Sequence, residues 1–352
     1  MQVSIRKEVH ARLVLLEMKN SSIPGSHVMV ILMAICLPVF YSCTKSADNK
    51  ESVNLYMTGY AAGSGAKYWI NESAVGLANG QNAISTCMAV SGNDVYVAGW
   101  EYGGPSMPKY WKNGNLVDLT DGTNSGYESS DAGFYATCIA ASGTDVYVAG
   151  YINYGALYGN KTVAKYWKNG SPVALSDTSI SSGNAISILI SGNDVYVLGF
   201  LGGLATYWKN GSPVTIADSS QHAGVSGFTV SGDDVYVVGS SSGGATYWKN
   251  GNPVILADTS QHVIATSITV SGNDVYVTGY YYGLIGSIGA LYWKNGNPVT
   301  LSDGNSAYCI AISGNDVYVG GSSHDGATYW KNNNRVALSQ GSQIYSLVLV
   351  KQ

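Results

Sequence analysis

The chain has 352 residues with 44 Gly, 27 Tyr and 8 Trp, only 11% of them are charged, and the formal net charge is −4. So thin a supply of Glu, Lys and Arg cannot dress the exposed faces of many helices, which argues against a helical protein and for an all-β one. A mildly acidic chain with no Lys/Arg cluster also lacks the electrostatic footprint of a phosphate-backbone binder, so nucleic acid is not an expected partner.

Residues 1–43 read as an export segment. Val28 to Tyr41 is a run of 14 uncharged, mostly apolar residues between Lys19 and Ser42-Cys43. It falls short of the roughly 20 residues that a spanning helix needs and fits the h-region of a signal peptide. Met18-Lys19-Asn20 would itself begin a well-formed signal, which points to Met18 as the initiator. Small Ser42 before Cys43 resembles a bacterial lipobox, which implies diacylation of Cys43 and two acyl chains as a stable anchor. Soluble secretion after simple cleavage is the alternative. Thr44 to Val53 is then a polar tether.

From residue 54 to 352 one module recurs: an apolar strand ending in Ser-Gly-Asn-Asp, then Val-Tyr-Val-x-Gly, then Tyr-Trp-Lys-Asn-Gly, then Pro-Val-x-Leu. The second-strand Tyr falls at residues 56, 96, 147, 196, 236, 276 and 318, and the Tyr-Trp tryptophan at 69, 111, 167, 208, 248, 293 and 330, so both count seven modules. Repeats of about 40–50 residues built of short strands are the mark of propeller blades. Asn-Gly pairs such as Asn250-Gly251 suit type I′ turns between the third and fourth strands. Pro172, Pro213, Pro253 and Pro298 open the fourth strand and lack the N–H of a central strand, which puts it at the outer edge. The domain begins on a second-type strand at Leu55 and ends on a first-type strand at Ile344 to Val350. The expected fold is an all-β, seven-bladed β-propeller with four antiparallel strands per blade, closed by pairing of the C-terminal strand with the N-terminal blade.

In each third strand the adjacent Tyr and Trp point to opposite faces, so one ring can pack on each neighbouring blade. Cys87, Cys138 and Cys309 share a register with Ser187, Gly227, Ser267 and Ser346 and read as small buried residues; a Cys87–Cys138 bridge between neighbouring blades is the alternative.

The Val-Tyr-Val-x-Gly and Tyr-Trp-Lys-Asn-Gly motifs resemble the propeller repeats of bacterial exported lipoproteins, and Val317 to Trp330, with Gly320-Gly321 and Tyr329-Trp330, is similar to a kelch repeat. The resemblance covers residues 54–350. It implies an exported scaffold of a kind whose function is mostly uncharacterised and brings no catalytic residue with it.

Function is expected on the face of the variable loops that join the second to the third strand and one blade to the next. The candidate ligand-binding aromatics there are Trp100, Tyr102, Tyr127, Tyr151, Tyr154, Tyr158, Tyr280, Tyr281 and Tyr282, which could stack on sugar rings or anchor a protein. The alternative is that they cover the tops of neighbouring blades. Glu101, Glu128, Asp131 and Asp325 are among the carboxylates not absorbed by the repeats, and the first three are weak candidates for a general acid and base pair. His222, His262 and His324 lack metal-ligand spacing, so neither metal nor cofactor is expected. Three readings follow: a non-catalytic propeller recognising a glycan or protein; a glycan-active hydrolase or lyase; and a structural subunit of an envelope complex. The membrane enters only through the N-terminal anchor.

Overall fold

The computed structural model describes residues 52–61, 65–79, 82–101, 108–119, 133–155, 159–176, 182–283 and 288–352, all within one compact unit that runs from Lys50 to Gln352. The export segment, Cys43 and most of the tether lie outside the described residues. Seven antiparallel sheets of four strands form a ring of blades, as the repeats require. Within each blade, strands a, b, c and d follow from the axis outward. In blade 5 they are Gly224–Ser231, Asp234–Ser241, Gly244–Lys249 and Asn252–Ala257.

Most of the repeated residues are consumed by one hydrogen-bond network on the face of the a–b and c–d turns. Asn250 and Gly251 take φ of 50° and 81°, the pair of positive values a type I′ turn demands. The Asn250 carboxamide then accepts from the Val235 N–H at 2.8 Å and donates to Asp234 at 2.7 Å. Lys249 reaches the other oxygen of Asp234 at 2.7 Å and lies 5.3 Å from the centre of the Tyr236 ring. Lys249 and then Asn250 hold the Asp234 carboxyl below its ordinary value. The same Asp–Lys pairs recur in blades 2, 3, 4, 6 and 7. In blade 1, Asn54 and Ile70 stand in their places, and Asn71 donates to Asn54 at 3.3 Å. Exposed ion pairs of this kind stabilise weakly one by one; here they fix the turns against each other.

The core lies between blades. All seven c-strand tryptophans are at most 2% exposed. Trp248 packs on Tyr196, Leu198 and Ala205 of the preceding blade, while the adjacent Tyr247 faces the other way, against the cluster around Trp293. The indole N–H groups of Trp69, Trp111 and Trp330 donate to the carbonyls of Ser339, Ala78 and Ser302 on the preceding blade-to-blade connection, and that of Trp248 to the Gln221 side chain. Trp therefore fills each seam, and in these four blades its N–H also ties the seam to the preceding connection.

The ring closes where the sequence implied. Gln343–Lys351 forms the a strand of blade 1 against Val53–Ala61, its b strand, with Val53 opposite Lys351 and Thr58 opposite Ser346. Ile344 is fully buried in the seam with Leu55, Met57 and Trp69.

Every a strand carries a β-bulge at one register. The pairing skips Thr86, Thr137, Ile186, Ser226, Thr266, Tyr308 and Tyr345. A bulge inserts one residue and reverses the in–out alternation beyond it; Ile186 and the successor Cys309 still pack into inter-blade clusters, whereas the skipped Tyr308 and Tyr345 belong to none. The bulge also explains the Gly of Val-Tyr-Val-x-Gly. A Cβ on Gly239 would overlap the Gly224 carbonyl oxygen, and the equivalent clash recurs at Gly99, Gly150 and Gly199.

The cysteine expectation needs correction. Cys87 and Cys138 are joined as a disulfide, their Cα atoms 4.8 Å apart, and among the described residues only Cys309 is a buried free thiol. The cause is geometric: the residues just after the bulges converge near the axis, where neighbouring a strands meet, and the Ser187 hydroxyl touches the Cys138 sulfur at 3.7 Å in the same way.

Candidate functional site

The bulged register builds the site. A cavity of about 410 Å³ is lined by Ile84, Thr86, Trp100, Ser226, Thr266, Tyr308 and Tyr345. Six of these come from the a strands of blades 1, 2, 5, 6 and 7, and a strands are innermost, so the cavity lies at the propeller axis. Trp100 ends the b strand of blade 2, which places the cavity towards the face of the b–c and blade-to-blade connections. Those connections do share one face: the Ser242 N–H donates to the Gln221 carbonyl and the Ser342 N–H to that of Tyr60.

Aromatic rings rise around the axis in two groups. On one side Trp100 meets Tyr135 edge-on at 5.5 Å, and Tyr135 stacks on Tyr151 at 4.8 Å. On the other, Tyr280 meets Tyr308 at 5.9 Å and Tyr308 meets Tyr345 at 5.6 Å. Burial, followed by the neighbouring phenols, raises the pKa of Tyr151, Tyr280 and Tyr345, so these rings stay neutral. Among the described residues the lining carries no charge: it is aromatic and aliphatic surface with hydroxyls set in it.

Of the residues singled out from sequence, the structure brings Trp100 into the cavity wall, and sets Tyr280 against the wall residue Tyr308 and Tyr151 in the Trp100 group. They stand on the ends of b strands that run further than the loop reading allowed. Tyr281 packs instead on the seam cluster of Trp293, and Tyr282 is 48% exposed beside His262, ring centres 5.8 Å apart. Tyr154 lies past its strand, its N–H donating to the Lys161 carbonyl. Tyr102, Tyr127, Tyr158, Glu128, Asp131 and the side chain of Glu101 lie outside the described residues. Sequence reasoning missed Thr86, Ser226, Thr266, Tyr308 and Tyr345; the available signal was one position that varies from blade to blade just before the small-residue register.

The histidines have structural work. His222 and His262 take φ of 46° and 48° to end short 3₁₀ turns begun by Asp218 and Asp258. Among the described residues no group of three His, Cys, Asp or Glu side chains stands together as a metal site.

Neither a protein-family model nor a curated protein sequence matches this chain. Solved structures do resemble it. The computationally designed protein Ika8 is 18% identical, with 83% of this chain and 86% of that chain covered and a TM-score of 0.47. The PQQ-bound aldose sugar dehydrogenase of Streptomyces coelicolor is 12% identical over 85% and 99%, with a TM-score of 0.42. An endo-arabinanase of Bacillus licheniformis is 12% identical over 75% and 92%, with a TM-score of 0.32.

Proposed function

We propose that the protein is a non-catalytic binding propeller of the bacterial cell envelope that takes a glycan end or short saccharide in its axial cavity. The observation that carries this reading is the lining: Trp100, Tyr308 and Tyr345 around hydroxyls of Thr86, Ser226 and Thr266, with no charged side chain among the described residues. The C–H face of a sugar ring packs on an aromatic face while its hydroxyls need neutral hydrogen-bonding partners, and the lining offers both. The volume falls in the range of small-molecule sites, about 300–1,000 Å³.

Titration of the purified propeller with a panel of oligosaccharides, followed by tryptophan fluorescence and calorimetry, is expected to find a saturable ligand. Trp100→Ala should weaken it roughly ten- to a hundredfold through loss of one stacking wall. A panel without any bound saccharide, or Trp100→Ala binding as well as wild type, overturns the reading. Product formation abolished by Glu101→Gln would replace it with the hydrolase or lyase reading.

Export and anchoring through Cys43 belong to the same proposal. The Cys87–Cys138 disulfide supports an oxidising compartment, where such bonds persist. The membrane fraction should yield a mature chain starting at a diacylated Cys43, and Cys43→Ala should release the protein; an unmodified mature chain sinks the anchor.

A further inference from the structure

The hydrogen-bond directions in the cavity wall say more about the ligand than its shape does. A hydroxyl has one proton, and a carbonyl oxygen can only accept. The Thr266 hydroxyl reaches the Ala307 carbonyl at 2.8 Å and that of Thr278 at 3.1 Å, so its proton is committed to the backbone. The Thr86 hydroxyl likewise faces the carbonyls of Ala136 and Ala98, at 3.4 and 3.3 Å. The Tyr345 hydroxyl is 2.6 Å from the Gln343 side-chain oxygen and donates to it. Thr137, at the same register of blade 3, repeats the pattern with the Ala185 carbonyl at 2.9 Å.

The bulges are the cause. Where the bulged residue is Thr, its hydroxyl is turned towards the backbone of the next blade, so in Thr86, Thr137 and Thr266 the proton bridges two a strands and lone-pair capacity is left over, with the Thr278 hydroxyl 3.1 Å from that of Thr266. The wall thus presents acceptors and aromatic π-faces, and the chain as a whole carries a net charge of −4. Aromatic faces with lone pairs and no competing cation attract an ammonium group or a cluster of N–H donors.

We infer that the axial cavity selects saccharides bearing a free amine, the amino-sugar class, over neutral ones of the same size. This rests on the glycan reading above and narrows it. The ammonium sits against Tyr308 and Tyr345 and donates to Thr86 and Thr266, while Trp100 covers a face of the sugar ring.

The test compares three disaccharides on the intact propeller by calorimetry: the β-1,4-linked glucosamine dimer, its N-acetylated form and cellobiose. At about pH 6, where the amine is protonated, the glucosamine dimer is expected to bind at least about tenfold more tightly than cellobiose. An amine among electron-withdrawing oxygens titrates like an α-amino group, near about 8, so the advantage should vanish by about pH 9. Burial raises the phenols of Tyr345 and of Tyr280, which stands beside the wall, so these two rings remain neutral there. Thr266→Val should weaken the glucosamine dimer more than cellobiose, so that the preference falls severalfold; a preference left unchanged overturns the placement of the ammonium. Cellobiose binding as tightly as the amine overturns this inference and leaves the glycan reading standing; no binding of any saccharide overturns both.

Discussion

Trp248→Ala is expected to destabilise the propeller by roughly 3–5 kcal/mol, the usual cost of emptying a buried tryptophan site. The indole is completely buried, fills the seam between blades 4 and 5 against Tyr196, Leu198, Val225 and Phe228, and donates to Gln221 at 3.3 Å. Its neighbours are β-strand residues held by ladders on both sides, Val237 and Pro253 lying directly opposite, so they cannot collapse into the void. The loss falls on one seam, and a ring of nearest-neighbour contacts opens at its weakest joint. Denaturant melts should show a lower midpoint, with the slope preserved if unfolding stays cooperative. A midpoint that hardly moves would remove the ring from the seam.

Deleting Gln343 to Gln352 should have the larger effect and abolish the cooperative transition. The deletion removes the only strand that covers the inner edge of Val53–Ala61 and takes Ile344 and Leu347 from the seam of blades 7 and 1. An uncovered edge beside exposed apolar surface is also a template for aggregation. A permutant separates loss of the strand from loss of the chain end. The Gln352 N–H donates to the Ser52 carbonyl at 2.9 Å, so a short turn between these residues restores the a–b hairpin of the other blades, with new termini opened before Gln343. The permutant should melt as the intact domain does. A truncated chain that melts with an unchanged midpoint would show that the clasp carries none of the stability.

The blade plan was legible because its determinants are local. Asn-Gly dictates a turn type, Pro253 and its counterparts cannot sit in a central strand, and Tyr-Trp alternation assigns the faces. The unmatched strands at Leu55 and Ile344 gave away the closure. The cavity was far less legible because it depends on the bulge, and one inserted residue per a strand reverses the alternation by which inward and outward positions are read. Thr86 and Tyr308 therefore look like ordinary strand residues in the sequence, while Tyr282, in a conspicuous run of three tyrosines, turns out to be 48% exposed away from the axis. The disulfide was hidden for a related reason: a shared register tells which residues are equivalent but not how closely equivalent residues approach at the centre of a ring.

The seven bulged positions also separate two jobs that a β-strand usually combines. Their backbone skips the ladder, so their side chains have no directly opposed cross-strand partner, and although Ile186 packs on the Trp248 seam, blades of nearly identical sequence carry Thr, Ile, Ser or Tyr there. A duplicated module can thus be copied wholesale for its architecture while one residue in it is free to drift. The hub of the ring becomes a seven-letter word, rewritable one letter at a time with the surrounding sheets left intact.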